Sequence, residues 1–218
     1  MGTRRAGGQR TLAGRSIVRP DALGNHAAGE RAAYILAMPH SVSPDAPVLL
    51  RPPRPGDFGW VVHRHGVLYA REYGFDSRFE ALVARVIADF LRDYDATRER
   101  AWIAERDGEI IGSVFLASAD LTTAKLRLLY VEPTARGLGV GTALVRACIA
   151  AAREMGYTRL VLWTNAVLTA ARAIYVAEGF RLTGTEPHAL FGPEQLGETW
   201  ELRLTEAVPD RPPIASPA

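Results

Sequence analysis

The stretch from Lys125 to Glu154 limits the fold most: KLRLLYVEP reads as a strand, ARGLGVG as a tight turn and TALVRACIAAARE as a long helix. Gly137, Gly139 and Gly141 let the turn's backbone approach a ligand closely, and the helix after them opens with unpaired N–H groups. Those donors, with the positive end of the helix dipole, suit an anion such as a pyrophosphate. Glycines alone leave a ligand-free connection equally open. A dinucleotide fingerprint needs glycines at i, i+2 and i+5, with an acidic residue about 20 positions on. Here the third glycine falls at i+4, and the next strand, RLVLW, runs out in Trp163-Thr164-Asn165. A Walker loop fails as well, because no Gly-Lys-Ser/Thr follows.

The remaining elements surround this block. Val48 to Arg51 reads as a strand stopped by Pro52, Pro53 and Pro55. Asp57 is placed to cap a first helix running towards Arg71, and Ser77-x-x-Glu80 is a capping box for a second whose apolar residues, Leu82, Val83, Val86, Ile87, Phe90 and Leu91, repeat at helical spacing. Asp107-Gly108 between two apolar runs predicts a hairpin. In the central strand Leu126 and Leu128 hold one phase and Leu129 and Val131 the other, the signature of a β-bulge. Gly156 ends the long helix, Thr169 is placed to cap a short one, and EPHALFGPEQLG reads as a long loop before a last strand, Glu198 to Leu204. The order βααββ(β)βαβαββ predicts an α/β (α+β) domain, a mixed sheet with helices on both faces.

Composition limits the function classes. Five arginines precede the first acidic residue, Asp21; without them the net charge of +2 becomes −3 for residues 20–218, so the body carries no basic nucleic-acid footprint. Cys148 is the only cysteine, which excludes an internal disulfide and a cysteine-built metal site, and its place in a helix pattern makes it a core residue. No apolar run reaches a membrane span and no secretory signal opens the chain, so the expectation is a cytoplasmic protein without a membrane partner. Residues 1–47 are expected to be a disordered basic extension, 48–206 the domain, and 207–218 a proline-rich tail.

Val131-x-Pro133-x-x-Arg136-Gly137-x-Gly139-x-Gly141, then a helix, a strand and Ala171-x-x-x-Tyr175-x-x-x-Gly179-Phe180, resembles the GNAT superfamily of N-acetyltransferases over about Val48 to Leu204. The resemblance implies a mostly antiparallel twisted sheet with splayed central strands and acetyl-CoA as co-substrate, without a metal. It also implies an acetyl group passed to an amine acceptor, either a small molecule or a protein or peptide amine. It assigns Arg136, Gly137, Leu138, Gly139, Val140, Gly141 and Thr142 to the pyrophosphate, and Leu129, Tyr130 and Val131 to the thioester arm. Tyr175 becomes the acid that protonates the departing thiolate. The asparagine often found seven residues before that tyrosine is Leu168 here, with Asn165 near enough to substitute.

In such folds the first two helices border the acceptor pocket, which makes His63, His65, Tyr69 and Tyr73, with His188 in the late loop, candidate acceptor contacts. Ordinary surface histidines and half-buried tyrosines fit those residues equally well. Three segments, GWVVHRHGVLYAREYGFD, LVLWTN and EPHALFG with GETWEL, are similar to acetyltransferase domains fused to winged-helix regulators of the MarR kind. Only about 50 residues precede the domain, too few and too polar for a winged helix, so DNA binding does not carry over. The family resemblance leaves a homodimer and a non-catalytic acyl-CoA sensor open. Glu132, Glu186, His188 and Glu201 are the candidate bases.

Overall fold

A computed structural model describes residues 47–205; the expected N-terminal extension, apart from Pro47, and the C-terminal tail lie outside them. The elements are β1 (Leu49–Arg51), α1 (Asp57–Tyr73), α2 (Ser77–Arg92), β2 (Arg100–Arg106), β3 (Glu109–Ser118), β4 (Thr123–Val131), α3 (Val140–Glu154), β5 (Arg159–Asn165), α4 (Thr169–Ala177), β6 (Arg181–His188) and β7 (Gln195–Arg203). The strands form one seven-stranded sheet in the order β1-β2-β3-β4-β5-β7-β6, antiparallel except for the β4–β5 pair. No helix among the described residues is long and apolar enough to cross a membrane.

The sheet divides two cores, and β3 shows how its sequence does so. Val114 and Leu116 belong to the core with Leu144, Val145 and Cys148 of α3, whereas Phe115 belongs to the core with Val61 of α1 and Val83, Ile87 and Phe90 of α2. Alternation along a strand sends successive side chains to opposite faces, so an all-apolar strand buried on both faces is what helices above and below require. Burial drives the Cys148 thiol far above its usual pKa, as a small core residue demands.

Local chemistry sets the boundaries, in places differently from expectation. Asp76, not Ser77, is the N-cap of α2, its carboxylate accepting from the Arg78 amide at 2.9 Å. Asp57 lies inside α1 behind Gly56, and instead of capping it accepts from buried Arg51 at 2.6 Å and from the Arg54 amide at 2.6 Å. Arg51 also reaches Glu105 at 2.6 Å, so one guanidinium ties β1, α1 and β2 together. The Asp107-Gly108 hairpin forms with both φ angles positive, at 51° and 81°. Thr169 begins α4 with Leu168 at the cap position and no side-chain cap. The expected long loop is mostly a hairpin: β6 runs to His188 and pairs with β7 from Gln195, Pro187 opposite Leu196. A proline fits there because β6 is an edge strand and needs no second ladder partner.

The feature that opens a site is in β4. Its ladder to β5 covers only Thr123–Lys125 against Arg159–Val161, while its ladder to β3 continues to Val131. Between these the β3–β4 register shifts, and Leu128 sits at φ 52°, a left-handed conformation a leucine adopts at a cost of about 1–2 kcal/mol. The Ser113 hydroxyl donates to the Leu128 carbonyl at 3.1 Å and secures this bulge. The two parallel strands therefore splay, and beyond Lys125 the edge of β4 facing β5 has no ladder partner.

Candidate active site

Two cavities meet at the splay. The larger, about 590 Å³, runs from the bulge to the glycine turn and is lined by Leu129, Tyr130, Val131, Arg136, Gly137, Gly139 and the first turn of α3, with Tyr73 of α1 and Ile174 of α4 across from them. Gly137 and Gly139 have φ of 79° and 76°, which side-chain-bearing residues adopt only under strain. Gly139 caps α3 without a side-chain bond, and the helix ladder begins with the Ala143 amide on the Gly139 carbonyl at 2.9 Å. The amides of Val140, Gly141 and Thr142 are thus left pointing out of a 15-residue helix, an anion site of the kind glycine turns form. A Cβ on Gly141 would stand 2.7 Å from Ile174, so glycine is also what lets α4 close the wall. Arg136 donates to Glu72 of α1 at 2.9 Å, and this bond holds its pKa above the ordinary value.

The second cavity, about 310 Å³, lies under α1 and α2 and is lined by His65, Phe79, Leu82, Val83 and Val86, by Lys125 to Leu129 of β4, by Val161 to Asn165 of β5, and by Tyr175. Tyr69, Leu129, Leu168 and Ala171 belong to both cavities, so a molecule in either touches the same wall. Tyr175 is 4% exposed, rests on Phe180 and Trp200, and burial drives its pKa far above that of a free phenol. Among the described residues none hydrogen-bonds its hydroxyl.

His65, 2% exposed, is held neutral: burial lowers its pKa to about 4, against a smaller opposing effect of the Val61 carbonyl. Nδ1 lies 2.8 Å from that carbonyl, so in the neutral ring Nδ1–H donates and Nε2 keeps its lone pair. Tyr69, Phe79 and Tyr130 pack around the ring with centroids 5.6, 6.3 and 5.1 Å away. The Tyr130 hydroxyl is buried and unpartnered among the described residues.

Residues 67–180, just over half of the chain, match the Acetyltransferase (GNAT) family. The chain belongs to that family. N-acetyltransferase 8 of Rattus norvegicus is 36% identical over 104 residues, 45% of this chain and 47% of the relative. N-acetylaspartate synthetase of Danio rerio is 39% identical over 93 residues, 42% of this chain and 33% of the relative. The chain thus spans less than half the length of these two relatives. Among solved structures, yncA of Salmonella typhimurium with its cofactor acetyl-CoA superposes with a TM-score of 0.58 at 20% identity, covering 74% of this chain and 96% of that one. The ribosomal-protein-alanine N-acetyltransferase of Brucella melitensis gives 0.58 at 20% identity, covering 71% and 99%. At these identities the two structures establish a shared fold.

Within this GNAT fold most of the residues singled out in the sequence converge. Leu129, Tyr130, Val131, Arg136, Gly137, Gly139, Val140, Gly141, Thr142, Tyr69 and Tyr73 line the larger cavity, and His65 and Tyr175 the smaller. Four stand elsewhere. Leu138, 46% exposed, and His188 line neither cavity, and His63 is exposed on the helix face away from His65. Asn165 lines the smaller cavity rather than the larger, with Oδ1 2.7 Å from His188 Nε2. The candidate bases Glu132, Glu186, His188 and Glu201 stand outside both cavities. Glu132 is locked by Arg64 at 2.5 and 2.8 Å, Glu186 accepts from Trp163 at 3.1 Å, and Glu201 lies 3.6 Å from Arg159.

Residues 59–73 fold into α1, residues 160–165 into β5, and residues 186–188 and 197–202 into the β6–β7 hairpin; Phe191 at the hairpin tip packs on Phe79 at 5.0 Å. Sequence reasoning missed Glu72, Phe79, Leu82, Val83, Val86 and Ala171 as site residues. The helical periodicity marked the α2 positions as core, and nothing in a periodic pattern separates a core wall from a cavity wall.

Proposed function

We propose that this protein is an N-acetyltransferase that moves an acetyl group from acetyl-CoA to a primary amine by direct attack in a ternary complex. The wall common to both cavities carries the reading, because Leu129, Leu168 and Ala171 bring two separately held molecules together without a covalent relay. Bound along the glycine turn, acetyl-CoA supplies an activated thioester. The amides of Val140 to Thr142 and the Arg136 guanidinium suit its pyrophosphate, and the unpaired edge of β4 near Leu129 offers peptide N–H groups for the charge that grows on the carbonyl oxygen.

The acceptor must attack as the neutral amine. For a lysine-like amine of pKa near 10.4 that form is about one part in two thousand at pH 7, a cost of about 4–5 kcal/mol. A cavity with no carboxylate in its wall and with Lys125 and Arg127 at its edge disfavours the ammonium form and offsets part of this cost. The new C–N bond forms as the C–S bond breaks; the amine's extra proton leaves to solvent, and the thiolate takes its proton from Tyr175. Burial keeps Tyr175 protonated until that moment.

Release of free CoA from acetyl-CoA, measured across a panel of amines for wild type and Tyr175→Phe with calorimetry of acetyl-CoA binding, tests the reading. Amine-dependent release that falls about a hundredfold in the variant while binding persists is the expected result. Binding without release across the panel would make this a sensing module, and no binding would remove the assignment of the glycine turn.

A further inference from the structure

The smaller cavity narrows the acceptor through its charge. Lys125 and Arg127 are two residues apart on β4 and share one face; Arg127 is in register with Phe115, which places both on the side of α1 and α2. Both line the cavity, and no aspartate or glutamate does. Among the described residues neither cation has a carboxylate at ion-pair distance. Two acidic groups that face them, Asp89 and Glu201, are engaged elsewhere. Asp89 of α2 acts on Arg127 through space but accepts from Arg92 at 2.8 Å. Glu201, in one register row with Val161 and Lys125, lies 3.6 Å from Arg159 and 3.9 Å from Arg203. The cavity walls strip water from part of the Arg127 guanidinium, which lowers its pKa although the side chain remains partly open to solvent.

A partly dehydrated cation without an anion is a poor arrangement by itself and a good one for a ligand that brings the anion. A polyamine or an aminoglycoside would bring a further ammonium group to two cations and find no acidic wall. Opposite the cations, Leu82, Val83 and Val86 of α2 offer an apolar surface. We infer that the acceptor is an amino acid or similar amine whose carboxylate is held by Arg127 and Lys125 and whose apolar side chain rests on α2. This specificity rests on the acetyltransfer reading of the two cavities.

The test uses the full chain with saturating acetyl-CoA and five acceptors: L-leucine, L-phenylalanine, the amide of each, and spermidine. The free acids are expected to exceed their amides at least tenfold in kcat/KM, with spermidine near background. Arg127→Ala should raise KM for the acids tenfold or more, with kcat falling less than KM rises, and bring the acid-to-amide ratio close to one. Arg127→Lys should restore part of that ratio and Arg127→Glu should invert it. Amides or spermidine used as well as the acids by the wild type would overturn the assignment.

If no acceptor releases CoA, calorimetry of N-acetyl-L-leucine into the CoA-saturated protein separates the two claims. Binding that exceeds that of N-acetyl-L-leucinamide and disappears in Arg127→Ala keeps the carboxylate site and removes the transferase reading. Equal affinity for the two compounds removes the carboxylate site.

Discussion

The two cavities are built from different materials. The larger cavity, proposed for the cofactor, is mainly backbone: one continuous run, 129–142, supplies the strand end beyond the bulge, the glycine turn and the open amides of α3. The smaller cavity, proposed for the acceptor, is side chain, contributed by α1, α2, β4, β5 and α4 from positions as far apart as His65 and Tyr175. Backbone sites demand particular residues at fixed spacing, glycine where φ must be positive, so they leave a mark in the sequence. Side-chain walls ask only for apolar or charged groups at a given point in space, and many sequences meet that demand. One fold can therefore keep a single cofactor site while its acceptor changes.

Four substitutions or conditions would break or sharpen this contrast, the largest effect first. Tyr175→Phe keeps the ring against Phe180 and Trp200 and removes only the hydroxyl; kcat should fall about a hundredfold with acetyl-CoA affinity within a factor of two, read by steady-state kinetics and calorimetry. A variant with full activity would make Tyr175 a packing residue only. Gly141→Val drives a side chain into Ile174, an overpacking of about 1–3 kcal/mol, and should weaken acetyl-CoA binding about ten- to a hundredfold. Unaltered affinity in that variant would show that the turn of α3 is not the cofactor wall.

His65 supplies a pH test on the acceptor side. Its folded pKa of about 4 lies below the ordinary 6.5, so its contribution to stability is complete above pH 6.5 and is lost as pH falls from there towards 4. About 2 kcal/mol should be lost by pH 5, visible as a lower urea midpoint, and His65→Gln should remove most of that dependence. The same midpoint shift with and without His65 would assign the acid sensitivity to other groups. The smallest effect belongs to Glu72, which holds Arg136 on the edge of the larger cavity. A partly exposed pair of this kind is worth at most about 1 kcal/mol, so Glu72→Gln should tighten acetyl-CoA binding by no more than about fivefold, less at high salt. Weaker binding would mean that Glu72 orients Arg136 for the ligand.

What the sequence disclosed follows the same division. The phase change at Leu128 and Leu129 announced the bulge, Asp107-Gly108 the hairpin, and the glycine turn its αL positions, because each is a local backbone demand. The cap of α2 was misplaced by one residue, since Asp76 and Ser77 are both good caps and only geometry decides which carboxylate or hydroxyl meets the helix amides. The β6–β7 hairpin read as a loop because an exposed edge strand containing Pro187 shows no apolar alternation. Asn165 is a candidate cofactor contact only through its nearness to Leu168 along the chain. In the fold β5 places it on the wall of the smaller cavity, where it meets His188. The Arg136–Glu72 bridge joins residues 64 positions apart and has no local signature at all.

The backbone run 129–142 is proposed to hold acetyl-CoA so that its thioester reaches the wall common to both cavities. A crystal structure of the acetyl-CoA complex tests it most directly. The expected complex has the pyrophosphate within hydrogen-bond distance of the amides of Val140 to Thr142 and the thioester between Leu129 and the Tyr175 hydroxyl. A cofactor bound away from the glycine turn, or a thioester distant from Tyr175, would contradict it.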